Sequence, residues 1–230
     1  YGLPDPLGSD RAKFAGKTIL VIGGGYSAAS SVVALAELAR EEASTKIIWA
    51  TLCETEEPIS RIQGDRLPER DRLAEAANRL AREDSPVVHL PGAAVVSLER
   101  GPDGDLIAHW ADADREPSRV DRIIATVGYR PDLDMHRELQ VHQCYATEGP
   151  MKLAAALLGA SGGDCLDQTS HGSKTLLNPE PNFYVLGAKS YGRNSQFLIS
   201  VGLRQIQELF TIIGGRESLD LYAAQGKPSS

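Results

Sequence analysis

The sequence predicts an α/β fold: a Rossmann-like parallel sheet joined by an antiparallel β-meander, with a further strand-helix segment towards the C-terminus. Three observations carry the prediction. Thr18-Ile19-Leu20-Val21-Ile22, five residues of β-type apolar character, runs into Gly23-Gly24-Gly25 and then into small residues at helical spacing. Between residues 87 and 127 the chain breaks into short β runs separated by turn residues. Phe183-Tyr184-Val185-Leu186 is a later apolar run that ends at Gly187 and precedes another helical stretch.

Gly23 and Gly25 make a G-x-G step, and Ala28 fills the third small position of G-x-G-x-x-A. The first Gly lets the strand turn sharply, the second has no Cβ to obstruct a pyrophosphate, and the third small residue lets the helix pack on the strand. Helix N–H groups and the positive end of the helix dipole would then face the phosphates. An ordinary glycine-rich turn is the bland alternative. The strand before and the helix after favour a dinucleotide site over that turn, built from Gly23, Gly24, Gly25, Tyr26, Ser27 and Ala28.

The first helix is expected over Tyr26–Glu41, with Ala28, Ala29, Val32, Val33, Leu35 and Ala36 on its apolar face. A second strand over Lys46–Ala50 completes a βαβ unit, since a parallel pair needs a crossover. The tip of that strand selects the coenzyme: an acid there binds the ribose of NAD, whereas a basic group accepts the phosphate of NADP. Trp49-Ala50-Thr51-Leu52 carries no acid; Glu54, Glu56 and Glu57 follow, then Arg61 and Arg66. The pattern leans towards NADP, with NAD as the alternate, and adds Thr51 and Arg61 to the candidate site. Residues 57–68 read as a loop able to cover a cofactor. Residues 69–82 read as a helix, with Leu73, Ala76, Ala77 and Leu80 on one face.

The β runs at 87–90, 93–98, 106–110 and 120–127 are expected to form the meander, with Gly101-Pro102-Asp103-Gly104 turning one hairpin. His89 and His109 read as packing or surface residues. The last run ends at Gly128, and Tyr129, Arg130, Pro131 and Asp132 follow in a turn. Close backbone approach to a ligand and a plain strand end are both open there. Further on, 151–158 is expected to be an apolar helix and 159–163 a small-residue loop, and His171 lies in a polar loop that could face a ligand but reads first as solvent-facing. After the strand at 183–186, a turn at 188–194 holds Ser190, Tyr191, Gly192, Arg193 and Asn194, a set able to bind phosphate or flavin edges. A helix at 195–213 turns Leu198, Val201, Ile206, Leu209 and Ile213 to one side. Residues 1–16 read as a surface segment and 226–230 as a disordered tail. The lack of an initiator Met suggests a processed or truncated product.

At 230 residues the chain suffices for one large domain or two small ones. A net charge of -7 with no basic stripe argues against a nucleic-acid partner. Cys53, Cys144 and Cys165 are scattered and form no C-x-x-C pair, so a disulfide framework, a redox pair and a Cys-rich metal site are poorly supported. No apolar run reaches the roughly 18 residues that span a bilayer and no signal peptide opens the chain, so a cytoplasmic protein is expected.

The glycine loop, the stretch Ala125-Thr126-Val127-Gly128-Tyr129-Arg130-Pro131-Asp132 and the late Phe183-Tyr184-Val185-Leu186-Gly187 with its helix resemble, in that order, the flavoproteins with two dinucleotide-binding domains. The likeness is to flavin-containing monooxygenases and thioredoxin-reductase-like oxidoreductases, and it covers nearly all of residues 13–215. It implies an FAD domain interrupted by an NAD(P)H domain. Gly23, Gly25, Ser27 and Ala28 then match the NADPH pyrophosphate loop. Thr126, Gly128, Tyr129 and Arg130 match the Ala-Thr-Gly-Tyr-type motif near both cofactors. Gly187 matches the glycine before the flavin pyrophosphate region, although Ala188 stands where the family commonly has Asp. No first G-x-G-x-x-G for FAD precedes Thr18.

The resemblance therefore implies an NAD(P)H-binding domain at 13–133, the C-terminal segment of an FAD-binding domain at 134–222, and a tail at 223–230. The expected activity is hydride transfer from nicotinamide to flavin in a monooxygenase-like enzyme, with FAD belonging to the complete enzyme and this chain alone inactive. Partners would be a small-molecule substrate and, for a homodimer, a second copy. No catalytic side chain is assigned, in keeping with a chemistry the cofactors carry. The rival from another class is a stand-alone nucleotide-binding module without catalysis. A short-chain dehydrogenase is disfavoured because no Tyr-x-x-x-Lys pair is present; Ala188 follows Tyr184 by four residues and Ser195 follows Tyr191.

Overall fold

Ile19, Leu20 and Val21 at the centre of β1 (Thr18–Ile22) are fully buried, because this strand is covered on both faces. A parallel strand sandwiched in this way reads as a continuous apolar run rather than an alternating one. The computed structural model describes residues 2–83, 85–159, 170–220 and 222. They fall into two compact units, 1–127 and 128–230.

In the first unit a short helix α1 (Arg11–Phe14) precedes β1. β1 is followed by α2 (Tyr26–Glu41), β2 (Lys46–Ala50), α3 (Pro68–Arg82) and β3 (Val87–Leu90). Then come β4 (Val95–Arg100), β5 (Leu106–Trp110), β6 (Ser118–Val120) and β7 (Arg122–Ala125). Four parallel strands lie in the order β3-β2-β1-β7, with Ile19 opposite Ile47 on one side and opposite Arg122 on the other. The antiparallel sheet has the order β4-β5-β6.

Side chains alternate across a strand, so Ile19 and Val21 enter one core while Leu20 enters another. The first core is closed by Val32, Leu35 and Leu38 of α2 and Ala74, Ala77 and Leu80 of α3. The second is closed by the antiparallel sheet through Ala108, Trp110 and Val120. Each such Val or Leu contributes roughly 1.5–3 kcal/mol of burial.

Several expectations need correction. The run at 87–90 does not join the meander; it is the edge of the parallel sheet, with Val87 buried and Val88 exposed. The run at 120–127 is two strands in two sheets. Asp121 makes the break: its carboxylate accepts from Thr18 N–H at 2.8 Å, and its own N–H donates to the Thr18 carbonyl at 2.8 Å. That pair fixes the chain where it leaves one sheet and enters the other. The third correction is in the second unit, where residues 183–186 are not a strand: an extended segment runs into a 3-10 turn at Gly187–Tyr191. A strand exists only with a ladder partner, and among the described residues none pairs with it.

The second unit otherwise holds α4 (Met151–Gly159) and α5 (Ile199–Ile213), which starts four residues later than the periodicity predicts. Leu153, Leu157, Tyr191 and Val201 form its core. Gln205 is buried on α5 and holds the 187–191 turn: its side-chain carbonyl accepts from Gly187 N–H at 2.8 Å and its amide donates to Ser190 Oγ at 2.9 Å. The opposite side of α5 leaves Ile199, Leu203, Phe210 and Ile213 exposed. His171 is half-buried rather than solvent-facing. Residues 160–163 of the expected small-residue loop, Cys165, and the 226–230 tail lie outside the described residues.

Candidate nucleotide-binding site

The glycine turn is riveted to the tip of β2. Gly23 N–H donates to the Ala50 carbonyl at 3.0 Å, and the Gly23 carbonyl accepts from the Trp49 indole Nε1–H at 2.8 Å. On its other flank Thr126, just past β7, donates from its N–H and its hydroxyl to the Ile22 carbonyl. Gly23 sits at φ 137°, and a Cβ there would lie 2.5 Å from the Thr126 carbonyl oxygen. Packing alone therefore dictates glycine at this position.

Gly25 is different. It is the N-cap of α2 at φ -108°, a conformation open to any residue, and a Cβ there would meet nothing within 4 Å. Gly24 and Gly25 are exposed, and their N–H groups have no hydrogen-bond partner among the described residues. Helix geometry leaves the amides of Ser27 and Ala28 without an intrahelical acceptor as well. Ala28 is fully buried, as close packing of α2 on β1 requires. The exposed Gly24, Gly25 and Ser27 thus present a row of backbone donors at the positive end of a 16-residue helix, with the buried Ala28 packed beneath them.

Residues 51–67 pass beside this turn. The Tyr26 hydroxyl donates to the Ser60 carbonyl at 3.3 Å, and Asn78 of α3 clasps Ile59 through its N–H at 2.9 Å and its carbonyl at 2.8 Å. The 53–61 segment and Arg82 line an open pocket of about 620 Å³. Arg61 lies in that wall, held by Asp71 through Nε at 2.8 Å and Nη2 at 2.6 Å. The pairing raises the Arg61 pKa and lowers that of Asp71. Arg66 is exposed. Thr51 is buried, and its hydroxyl is turned inward, donating to the Cys53 carbonyl at 3.2 Å and sharing a hydrogen bond with His89 Nε2 at 2.9 Å. Burial lowers the His89 pKa, and its ring lies 5.3 Å from that of Trp49. Cys53 is exposed, and its pKa is lowered by the hydrogen bond to Thr55.

Gly128, Tyr129, Arg130 and Gly187 belong to the second unit. Gly128 adopts φ 83°, Tyr129 is exposed, and Arg130 forms a bidentate pair with Glu148 that lowers the Glu148 pKa. Gly187 adopts φ 69°, with its N–H committed to Gln205. The roles of Trp49, His89, Asn78 and Gln205 are not legible in the sequence, because their partners lie far away along the chain and are not set by local pattern. Among the described residues no His, Cys, Asp and Glu cluster could hold a metal, and no helix is long and apolar enough to cross a membrane.

No protein-family model and no curated protein matches the chain. Solved structures do. A thioredoxin reductase of T. acidophilum superposes with a TM-score of 0.55 at 12% identity, over 89% of this chain and 55% of that one. A bacillithiol disulfide reductase of Staphylococcus aureus gives 0.53 at 14%, over 84% and 49%. LpdA of Mycobacterium tuberculosis gives 0.51 at 16%, over 96% and 37%. The chain has their fold. It spans about half or less of the length of these structures, and the likeness reaches the architecture alone.

Proposed function

We propose that the first unit binds the diphosphate of NADPH, and that the complete enzyme is an NAD(P)H-dependent flavoprotein oxidoreductase of monooxygenase-like type. The observation that carries this reading is the pair of exposed, unpartnered Gly24 and Gly25 amides over open space at the start of α2. Gly25 has no role in the protein's own packing, and a ligand that needs the room supplies one. The phosphate-binding residues would be Gly24, Gly25 and Ser27 through their backbones, with Gly23, Thr126 and the buried Ala28 shaping the turn. Arg61 would meet the 2′-phosphate by exchanging its Asp71 partner. FAD, when bound, would supply the acceptor for hydride. The monooxygenase-like type, a small-molecule substrate, a homodimer and a cytoplasmic setting rest on the sequence and its resemblance.

The reading also gives the exposed α5 stripe an occupant: a flavin-binding half of the complete enzyme. One observation favours the rival, a nucleotide-binding module without catalysis. Gly187, the candidate flavin contact, has its amide satisfied within the chain by Gln205.

Calorimetry tests the coenzyme site that both readings require. The chain is expected to bind NADPH with a micromolar Kd and to be purified without stoichiometric FAD. Arg61→Ala should weaken NADPH by about tenfold or more, the scale of one charge-assisted hydrogen bond, and leave NADH unchanged. No heat with NADPH overturns the proposal. Equal loss for both coenzymes overturns the role of Arg61, and tight FAD in the purified chain overturns the dependence on a further half.

A further inference from the structure

The Trp49 indole is fully buried, yet its one polar atom is not spent on the core; it donates across from β2 to the carbonyl of Gly23. The consequence lies in the peptide unit that this carbonyl belongs to. Every peptide bond described is trans, and a trans unit is planar with its C=O and N–H pointing in opposite directions. The N–H on the far side of the Gly23 carbonyl is that of Gly24, which is exposed and has no partner among the described residues. Glycine backbones are the freest in a chain, and a run of three would let this unit rotate. Pinning the carbonyl inward pins the amide outward.

We infer that Trp49 is a positioning residue for anion binding: through the Gly23 carbonyl it aims the Gly24 N–H at the phosphate-binding space. This rests on the dinucleotide reading of the glycine turn. One further contact holds the indole in place, and a second holds that partner. His89, its register partner on β3, packs against the ring at 5.3 Å. The imidazole is fixed in turn by the Thr51 hydroxyl at 2.9 Å. Thr51 thus contributes to the site from beneath rather than by touching a ligand. Ala50 holds Gly23 N–H, so β2 grips both polar groups of the residue and leaves only the next amide outward.

The test removes the indole N–H and keeps its shape. Site-specific replacement of Trp49 by benzothienylalanine does this with the ring's packing intact, and Trp49→Phe is the genetic counterpart. NADPH affinity is expected to fall roughly three- to tenfold, the range of one net hydrogen bond. In ¹⁵N–¹H spectra the Gly24 amide resonance should respond to inorganic pyrophosphate in the wild type and respond less in the variant, while resonances along α2 beyond its first turn stay in place. Unchanged NADPH affinity overturns the inference, as does a loss accompanied by shifts spread over the whole sheet, which would mark general loosening. If the wild type itself binds neither NADPH nor pyrophosphate, the dinucleotide reading fails instead, and the two failures are distinguishable.

Discussion

Gly23→Ala is expected to destabilise the first unit by about 3 kcal/mol, lowering its melting temperature by roughly 6–12 °C. Two costs add. At φ 137° an L residue is strained whatever the surrounding space. The new methyl would also lie 2.5 Å from the Thr126 carbonyl oxygen and 2.7 Å from the Thr126 hydroxyl. The nearer atom is backbone and cannot swing aside. Relief requires β1 and the end of β7 to separate, which breaks the bonds from Thr126 to the Ile22 carbonyl. Trimming the hydroxyl alone, in Gly23→Ala with Thr126→Ala, should recover little of the loss. Urea or thermal unfolding followed by far-UV circular dichroism measures this, and a single mutant melting within 2 °C of wild type would refute it.

The parts of this fold legible in the sequence are those whose cause is local. β1 shows as an apolar run because both its faces are buried, α2 follows from its helical spacing, and both boundaries of α2 and of β2 coincide with the expected ones. What resists reading depends on neighbours distant in sequence. Val87 buried beside Val88 exposed is the alternation of any half-covered strand, and nothing in those residues says that β3 pairs in parallel with β2. Asp121 is visible as a polar residue inside an apolar run, but its hold on Thr18 spans 103 positions. At 183–186 the apolar character is real, and the strand is missing because strand formation is a property of a pair. The site divides in the same way. The glycine spacing identifies the turn, and residue type singles out Arg61 and Thr51. Only the structure shows Arg61 held by Asp71 and the Thr51 hydroxyl turned inward to His89.

Gly25→Asp is expected to separate stability from binding, with opposite signs for the two. The N-cap position of α2 has extended backbone angles, no side-chain cap and open space around the missing Cβ, so an aspartate fits without strain. Asp is among the preferred N-cap residues, and its carboxylate can accept from the orphan amides of the first turn and complement the helix dipole. The melting temperature should therefore hold or rise by a degree or two, since Gly to Asp at an N-cap gains only a few tenths of a kcal/mol. The same carboxylate would occupy the donors proposed for the coenzyme and bring a like charge to within a few ångströms of a diphosphate. Losing two charge-assisted hydrogen bonds and adding that repulsion should weaken NADPH by about 100-fold or more. A plain structural turn predicts only the first effect, because such a turn has no ligand to lose. Calorimetry on the folded variant reads the difference directly: a stable Gly25→Asp protein that still binds NADPH as the wild type does would remove the coenzyme from this turn.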